Sequence, residues 1–121
     1  MIKIRTASFF DSANHIGRCF SIARSQPAGM KFPVIRELVP SWSLLHDFKY
    51  GLIDEDEYTE IYTDQVLAKK TQLEILTRII LTASETITLL CWERDGNFCH
   101  RQLVARWIAG AQFSDVIVEV H

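Results

Sequence analysis

The stretch TITLLCWERDGNFCHRQLVARWIAG, residues 86–110, decides the fold. Thr86 to Cys91 is β-branched or apolar at nearly every position, which predicts a central strand buried on both faces. Trp92 to Gly96 then reads as a loop with Asp95-Gly96 as its turn. Asn97 is suited to cap a helix from Phe98 to Ala109, and Gly110 to end it. On that helix Leu103, Val104, Trp107 and Ile108 fall on the core side.

Upstream, residues 2–7 alternate, with Ile2, Ile4 and Thr6 on one face and Lys3 and Arg5 on the other. Strand periodicity is two, so this is a first strand. Phe9 to Ile16 predicts a short helix or turn ended by Gly17, and CFSIAR, Cys19 to Arg24, a second strand running into a Ser25–Gly29 loop. Val34 to Val39 and Trp42 to Phe48 read as short helices punctuated by Pro33 and Pro40, with Gly51 capping the second. Asp54 with Glu57 forms a capping-box pattern before Tyr58, Ile61, Tyr62 and Val66, and Thr71 with Glu74 repeats it before Leu73, Leu76, Ile80 and Ala83. Tyr58 and Tyr62 read as core residues with their hydroxyls at the surface. Downstream, Asp115 to Val120 alternates as a last strand. The sequence therefore predicts an α/β fold: a small, mostly parallel sheet of about four strands with helices packed on its faces, as one domain over residues 1–121.

The turn between Cys91 and Arg101 concentrates the chemically capable side chains. In open α/β sheets ligands bind at the carboxyl ends of strands. Cys91 stands at such an end with Glu93 just beyond it, while Cys99, His100 and Arg101 fall in the first turn of the next helix. Unpaired amides and the positive dipole end favour an anion there and lower a thiol pKa. Arg101 adds a planar, permanently charged fork for phosphate or carboxylate. Ser21, Arg24, Ser25 and Lys31 follow or end the second strand, on the side where both loops open. The expected ligand-binding set is Ser21, Arg24, Cys91 and Arg101. The expected catalytic set is Glu93 as acid or base, Cys99 as thiol and His100 as its assistant. Neighbours on a helix point about 100° apart, which argues against Cys99 and His100 facing each other. Each residue also has a plain role: Cys91 as a small core residue, Arg101 in a salt bridge to Glu93 or Asp95. No metal is expected, because Cys91, Cys99 and His100 do not form a C-x₂-C pair. The sequence has no Walker or dinucleotide-binding glycine motif and suggests no cofactor.

The 121 residues carry a net charge of −2 and are 48% hydrophobic, with a pI near 6.1 and a mean hydropathy of +0.05. Such a composition buries a core and is not that of a disordered chain. It supplies no excess positive charge to hold long nucleic acid. No apolar run reaches the roughly 18 residues of a membrane span. Three cysteines, Cys19, Cys91 and Cys99, make an odd count, which points to free thiols and a cytoplasmic protein. The expected partner is a small anionic ligand, nucleotide-like in its chemistry, with no membrane and no long nucleic acid. The oligomeric state is left open.

Three blocks together resemble the domain-of-unknown-function family 488: GRCFSIARSQPAG at residues 17–29, ELVPSWSLLHDFKYGLIDEDEYTEIYTDQVL at 37–67 and LLCWERDGNFCHRQLVARWI at 89–108. The similarity covers about Ile4 to Ile108. Its most specific part is the C-x-E turn followed by C-H-R at a helix start. The resemblance implies an α/β domain. It singles out Ser21, Arg24, Pro27, Lys49, Gly51, Tyr58, Tyr62, Cys91, Glu93, Cys99, His100 and Arg101, and supplies no reaction, substrate or cofactor. Three functions stay open, in this order: a pocket for a phosphate-bearing or other anionic small molecule, an enzyme acting on such a molecule, and a structural or interaction protein without pocket chemistry.

Overall fold

The structure, a computed structural model, describes residues 2–69, 74, 86–93, 98–110 and 116–118. Its sheet is built from β1 (Ile2–Ser8), β2 (Arg18–Ser21) and β3 (Thr86–Cys91), with a three-residue edge strand, β4 (Val116–Val118). Every pairing is parallel and the order is β2-β3-β1-β4. The α/β reading therefore holds. Three strands carry the body of the sheet rather than four, since β4 meets only Ile2–Ile4 of β1. β3 has the limits its apolar run predicts and lies between β1 and β2, buried from Ile87 to Cys91. β1 is less one-sided than its alternation suggests. It is an interior strand, so Arg5 is buried along with Ile4, and Arg5 Nη2 donates to Asn14 Oδ1 at 3.0 Å.

Three helices are described: α1 (Trp42–Lys49), α2 (Glu55–Tyr62) and α3 (His100–Gly110). Ile4, Ile87 and Leu89 of the sheet share one apolar cluster with Leu44 of α1, Tyr58 and Tyr62 of α2, and Leu103, Val104 and Ile108 of α3. Side chains alternate along a strand, so Cys91 shares the face of Ile87 and Leu89 and points to the helical layer. Ala7, Phe9, Ala23 and Leu90 form a second, smaller cluster, covered by Met30 and Phe32.

Helix ends follow the sequence signals closely. Asp54 and Glu57 make both bonds of the capping box. At the end of α1, Gly51 takes φ +72°. Gly51 N–H donates to Phe48 O, and Leu52 N–H to Asp47 O at 2.8 Å, the paired bonds of a Schellman termination. Past α2 the chain continues through a π-helical turn, Thr63–Leu67. Gly17, also at positive φ, lets the chain pass against β3: a Cβ there would sit 2.1 Å from Thr86 O.

Three boundaries and the burial of two tyrosines differ from expectation. β2 stops at Ser21 instead of Arg24, because Ser21 Oγ accepts the Ala23 N–H at 3.2 Å and turns the chain. Val34–Val39 is not a helix. Val34 forms a parallel bridge with Ser21, and only Arg36–Leu38 makes a 3₁₀ turn. Val39 precedes Pro40 and takes an extended backbone, φ −74° and ψ 127°, as steric clash with the proline ring favours. α3 opens at His100, two residues later than Phe98, because its cap is Cys99, whose N–H donates to Gln102 Oε1 at 3.0 Å. Tyr58 and Tyr62 are buried whole, and the Tyr62 hydroxyl donates to Leu38 O at 2.7 Å instead of reaching the surface. The Asn97 cap, the Thr71 helix start with its face Leu73–Ala83, and the ends of the Asp115–Val120 strand lie outside the described residues. Among the described residues no helix is long and apolar enough to cross a membrane.

Candidate functional site

A cleft of about 470 Å³ opens at the carboxyl ends of β2 and β3. The loop after β2 supplies Ala23, Arg24 and Ser25, and the turn after β3 supplies Cys91, Trp92 and Glu93. Phe98, Cys99 and His100 enter at the start of α3. The remaining wall is α1, through Leu45, Phe48 and Lys49, with Tyr58 of α2. The last residues of α1 are fixed by its Gly51 termination, which sets where Lys49 stands.

Three rings make the apolar side. Phe48, Tyr58 and Phe98 lie with centroids 5.2 to 5.4 Å apart, in the offset and edge contacts that aromatic quadrupoles favour. Burial pushes the Tyr58 phenol well above its ordinary pKa, so it stays a neutral hydroxyl. On the opposite side Trp92 Nε1–H donates to Ser25 O at 2.9 Å, tying together the two loops that flank the opening. The charged members are two cations and one carboxylate: Arg24, Lys49 and Glu93. Arg24 Nη1 donates to Pro40 O at 3.3 Å, which steadies its side chain.

At the floor, the sulfurs of Cys91 and Cys99 are joined as a disulfide. The expectation of three free thiols is corrected here: Cys19 alone is free. An odd count cannot reveal a pair that the fold brings together, and here the end of β3 meets the residue before α3. His100 lies beside the pair, its Nδ1 3.6 Å from Cys91 Sγ and 3.7 Å from Cys99 Sγ. The argument that Cys99 and His100 diverge as helical neighbours does not hold, because Cys99 precedes the helix and its backbone is not bound to helical spacing.

His100 Nε2 lies 2.6 Å from Ile22 O. A carbonyl only accepts, so Nε2 carries the hydrogen and Nδ1 turns a bare lone pair toward the sulfurs. Burial, with the Arg101 charge adding to it and the Ile22 bond opposing, brings the imidazole pKa down to about 4. The ring is therefore neutral near pH 7.

Arg101, expected at the rim, is wholly buried and does not line the cleft. Its Nη1 donates to the Glu93 carbonyl oxygen, not to the carboxylate. The guanidinium thus sits behind the cleft and holds the start of the turn, leaving the Glu93 side chain exposed at the opening. Ser21 is also buried and off the lining, engaged in the Ala23 turn. Lys31 is exposed elsewhere. Arg24, Cys91, Glu93, Cys99 and His100 do converge, as the strand-end argument anticipates. Leu45 and Phe48 were assigned no site role from sequence; they are the apolar stripe of a short helix, and nothing local marks such a stripe as cleft wall. Lys49 and Tyr58 stand out as site residues in sequence only through the family resemblance.

The family model described as the active DUF488-N3 subclade, DUF488-N3a, matches residues 5–112. No curated protein and no solved structure matches the chain.

Proposed function

The chain belongs to the DUF488 family, and from that footing we propose that its cleft binds a small anionic ligand carrying a planar ring, a nucleotide-like molecule. One observation carries this reading: Arg24 and Lys49 flank a cavity whose other walls are Phe48, Tyr58, Trp92 and Phe98. Two cations against one carboxylate suit a phosphate, and the rings suit a base stacked or edge-on. The volume falls within the range of small-molecule sites, about 300–1,000 Å³. Arg101 serves this site from behind by fixing the Glu93 backbone. The net charge of −2 leaves long nucleic acid an unsuitable partner. We assign the protein to the cytoplasm on the unpaired Cys19, a thiol that a reducing compartment keeps free, and in such a compartment the Cys91–Cys99 pair is open to reduction.

Thermal denaturation in the presence of nucleotides, the matching nucleosides and inorganic phosphate tests the reading. A ligand in hundredfold excess over its Kd stabilises the fold by about 2.7 kcal/mol, a shift of several degrees. Nucleotides raising the midpoint more than nucleosides or phosphate alone is the expected result; a flat panel contradicts it.

A second reading, catalysis on the same ligand, is favoured by the word "active" in the subclade's description and by the bare His100 Nδ1 beside two sulfurs. Glu93 is the acid or base at the opening, and Cys99, once reduced, is a thiol with His100 Nδ1 beside it as a hydrogen-bond acceptor. Turnover that Glu93→Gln abolishes while binding persists would distinguish an enzyme from a binding module.

A further inference from the structure

We infer that Cys91, Cys99 and His100, when the two sulfurs are reduced, form a three-ligand site for a divalent metal of zinc-like preference, with the fourth coordination position open to the cleft. This goes beyond the anion-binding reading and does not depend on it.

All three residues are buried, with at most 4% of their surface exposed. Their donor atoms lie within 4.8 Å of one another. In a tetrahedral zinc site, bonds of about 2.3 Å to sulfur and 2.0–2.1 Å to nitrogen put those donors roughly 3.5 Å apart. His100 Nδ1 already stands 3.6 and 3.7 Å from the two sulfurs. The ring is oriented as a metal-bound histidine usually is, with its other nitrogen donating to a fixed acceptor, here Ile22 O at 2.6 Å. That bond leaves Nδ1 as the atom free to coordinate. Two thiolates balance a dication, so the filled site adds no net charge to a buried region. Because all three residues line the cleft, the metal's remaining position faces the cavity, beside Glu93. This is the open three-protein-ligand arrangement, not a closed structural one. Thiolate and imidazole donors select zinc over magnesium or calcium.

Loading requires reduction first. A dithiol gives two electrons and two protons to the Cys91–Cys99 bond, leaving two thiols and becoming a disulfide itself. The metal then displaces one proton from each thiol. The oxidised protein has no thiolates at this site to offer.

The test uses the whole chain, reduced anaerobically with a dithiol that is then removed, and titrated with cobalt(II) as the spectroscopic probe. Saturation at one equivalent is expected, with sulfur-to-cobalt charge-transfer bands in the near ultraviolet and intense visible bands of tetrahedral cobalt, all lost on adding zinc. Cys19→Ser should retain them; Cys91→Ser and Cys99→Ser should lose them; His100→Ala should weaken binding at least tenfold. Because these variants alter buried residues, alkylation of the unaltered reduced chain gives an independent reading. Zinc should slow labelling of Cys91 and Cys99 at least tenfold and leave Cys19 unchanged. Absence of the bands, or equal labelling with and without zinc, overturns the proposal. Arg24→Ala and Lys49→Ala should keep the metal, so loss of the anion site and loss of the metal site are told apart.

Discussion

His100 donates its Nε2 hydrogen to the Ile22 carbonyl at 2.6 Å, joining the start of α3 to the chain leaving β2. One bond thus closes the floor of the cleft from both of its flanking elements and fixes the tautomer of the imidazole.

Acid should weaken the disulfide form through this residue. In the folded protein His100 takes a proton only near pH 4, against about 6.5 when exposed. Between those values the unfolded chain holds the extra proton, so stability falls as pH drops through the window and is unaffected above it. The groups facing the ring, Arg101 and Tyr62, keep their charge states throughout. The full effect is up to about 3 kcal/mol. Urea midpoints at pH 7.5 and 4.5 should differ more in the parent than in His100→Gln; equal differences would remove His100 as the cause.

Gly17→Ala should be strongly destabilising. The substitution forces a residue with a Cβ to φ +69° and against the Thr86 backbone carbonyl at the start of β3. Neither atom is the end of a flexible side chain, so β2 must shift from β3. A loss of at least 2 kcal/mol in urea unfolding is expected, well above the ~1 kcal/mol of an ordinary substitution. Gly29→Ala is the comparison, since its Cβ would meet nothing within 4 Å although its φ is also positive. Equal losses in the two would show that close approach is not the reason for Gly17.

Arg101→Met should cost about 1.5–3 kcal/mol, the range for a hydrogen bond made by a charged group. The Glu93 carbonyl loses that donor, and the turn after β3 loosens. Ligand affinity should fall with it although Arg101 does not line the cleft. A variant that binds normally and unfolds at the parent midpoint would contradict the positioning role.

The parts of the fold legible in sequence are those set by local chemistry. The β-branched run Thr86–Cys91, the Asp54–Glu57 box and the Gly51 terminator each specify their element through nearest neighbours. Val34 misled because its partner, Ser21, is thirteen residues away in sequence and pairing across a loop leaves no local trace. The same reason separates the site residues. Cys91, Glu93, Cys99 and His100 lie on one strand-turn-helix and were visible together, whereas the disulfide, the Ile22 bond and the α1 wall depend on tertiary approach. Charge alone places Arg101 at the rim; its burial follows from side-chain direction at the second residue of a helix that starts two residues further on.

Calorimetric titration of the parent, Arg24→Ala, Lys49→Ala and Arg36→Ala with the nucleotide that most stabilises the fold tests the central claim most directly. Arg36 is exposed and outside the cleft, and serves as the charge-matched control. The account expects tenfold or greater weakening for each cleft cation, about 1.4 kcal/mol, and parent-like affinity for Arg36→Ala. Equal weakening in all three variants, or none in Arg24→Ala and Lys49→Ala, would mean that the anion is held by general surface charge or elsewhere, and the cleft reading would fail.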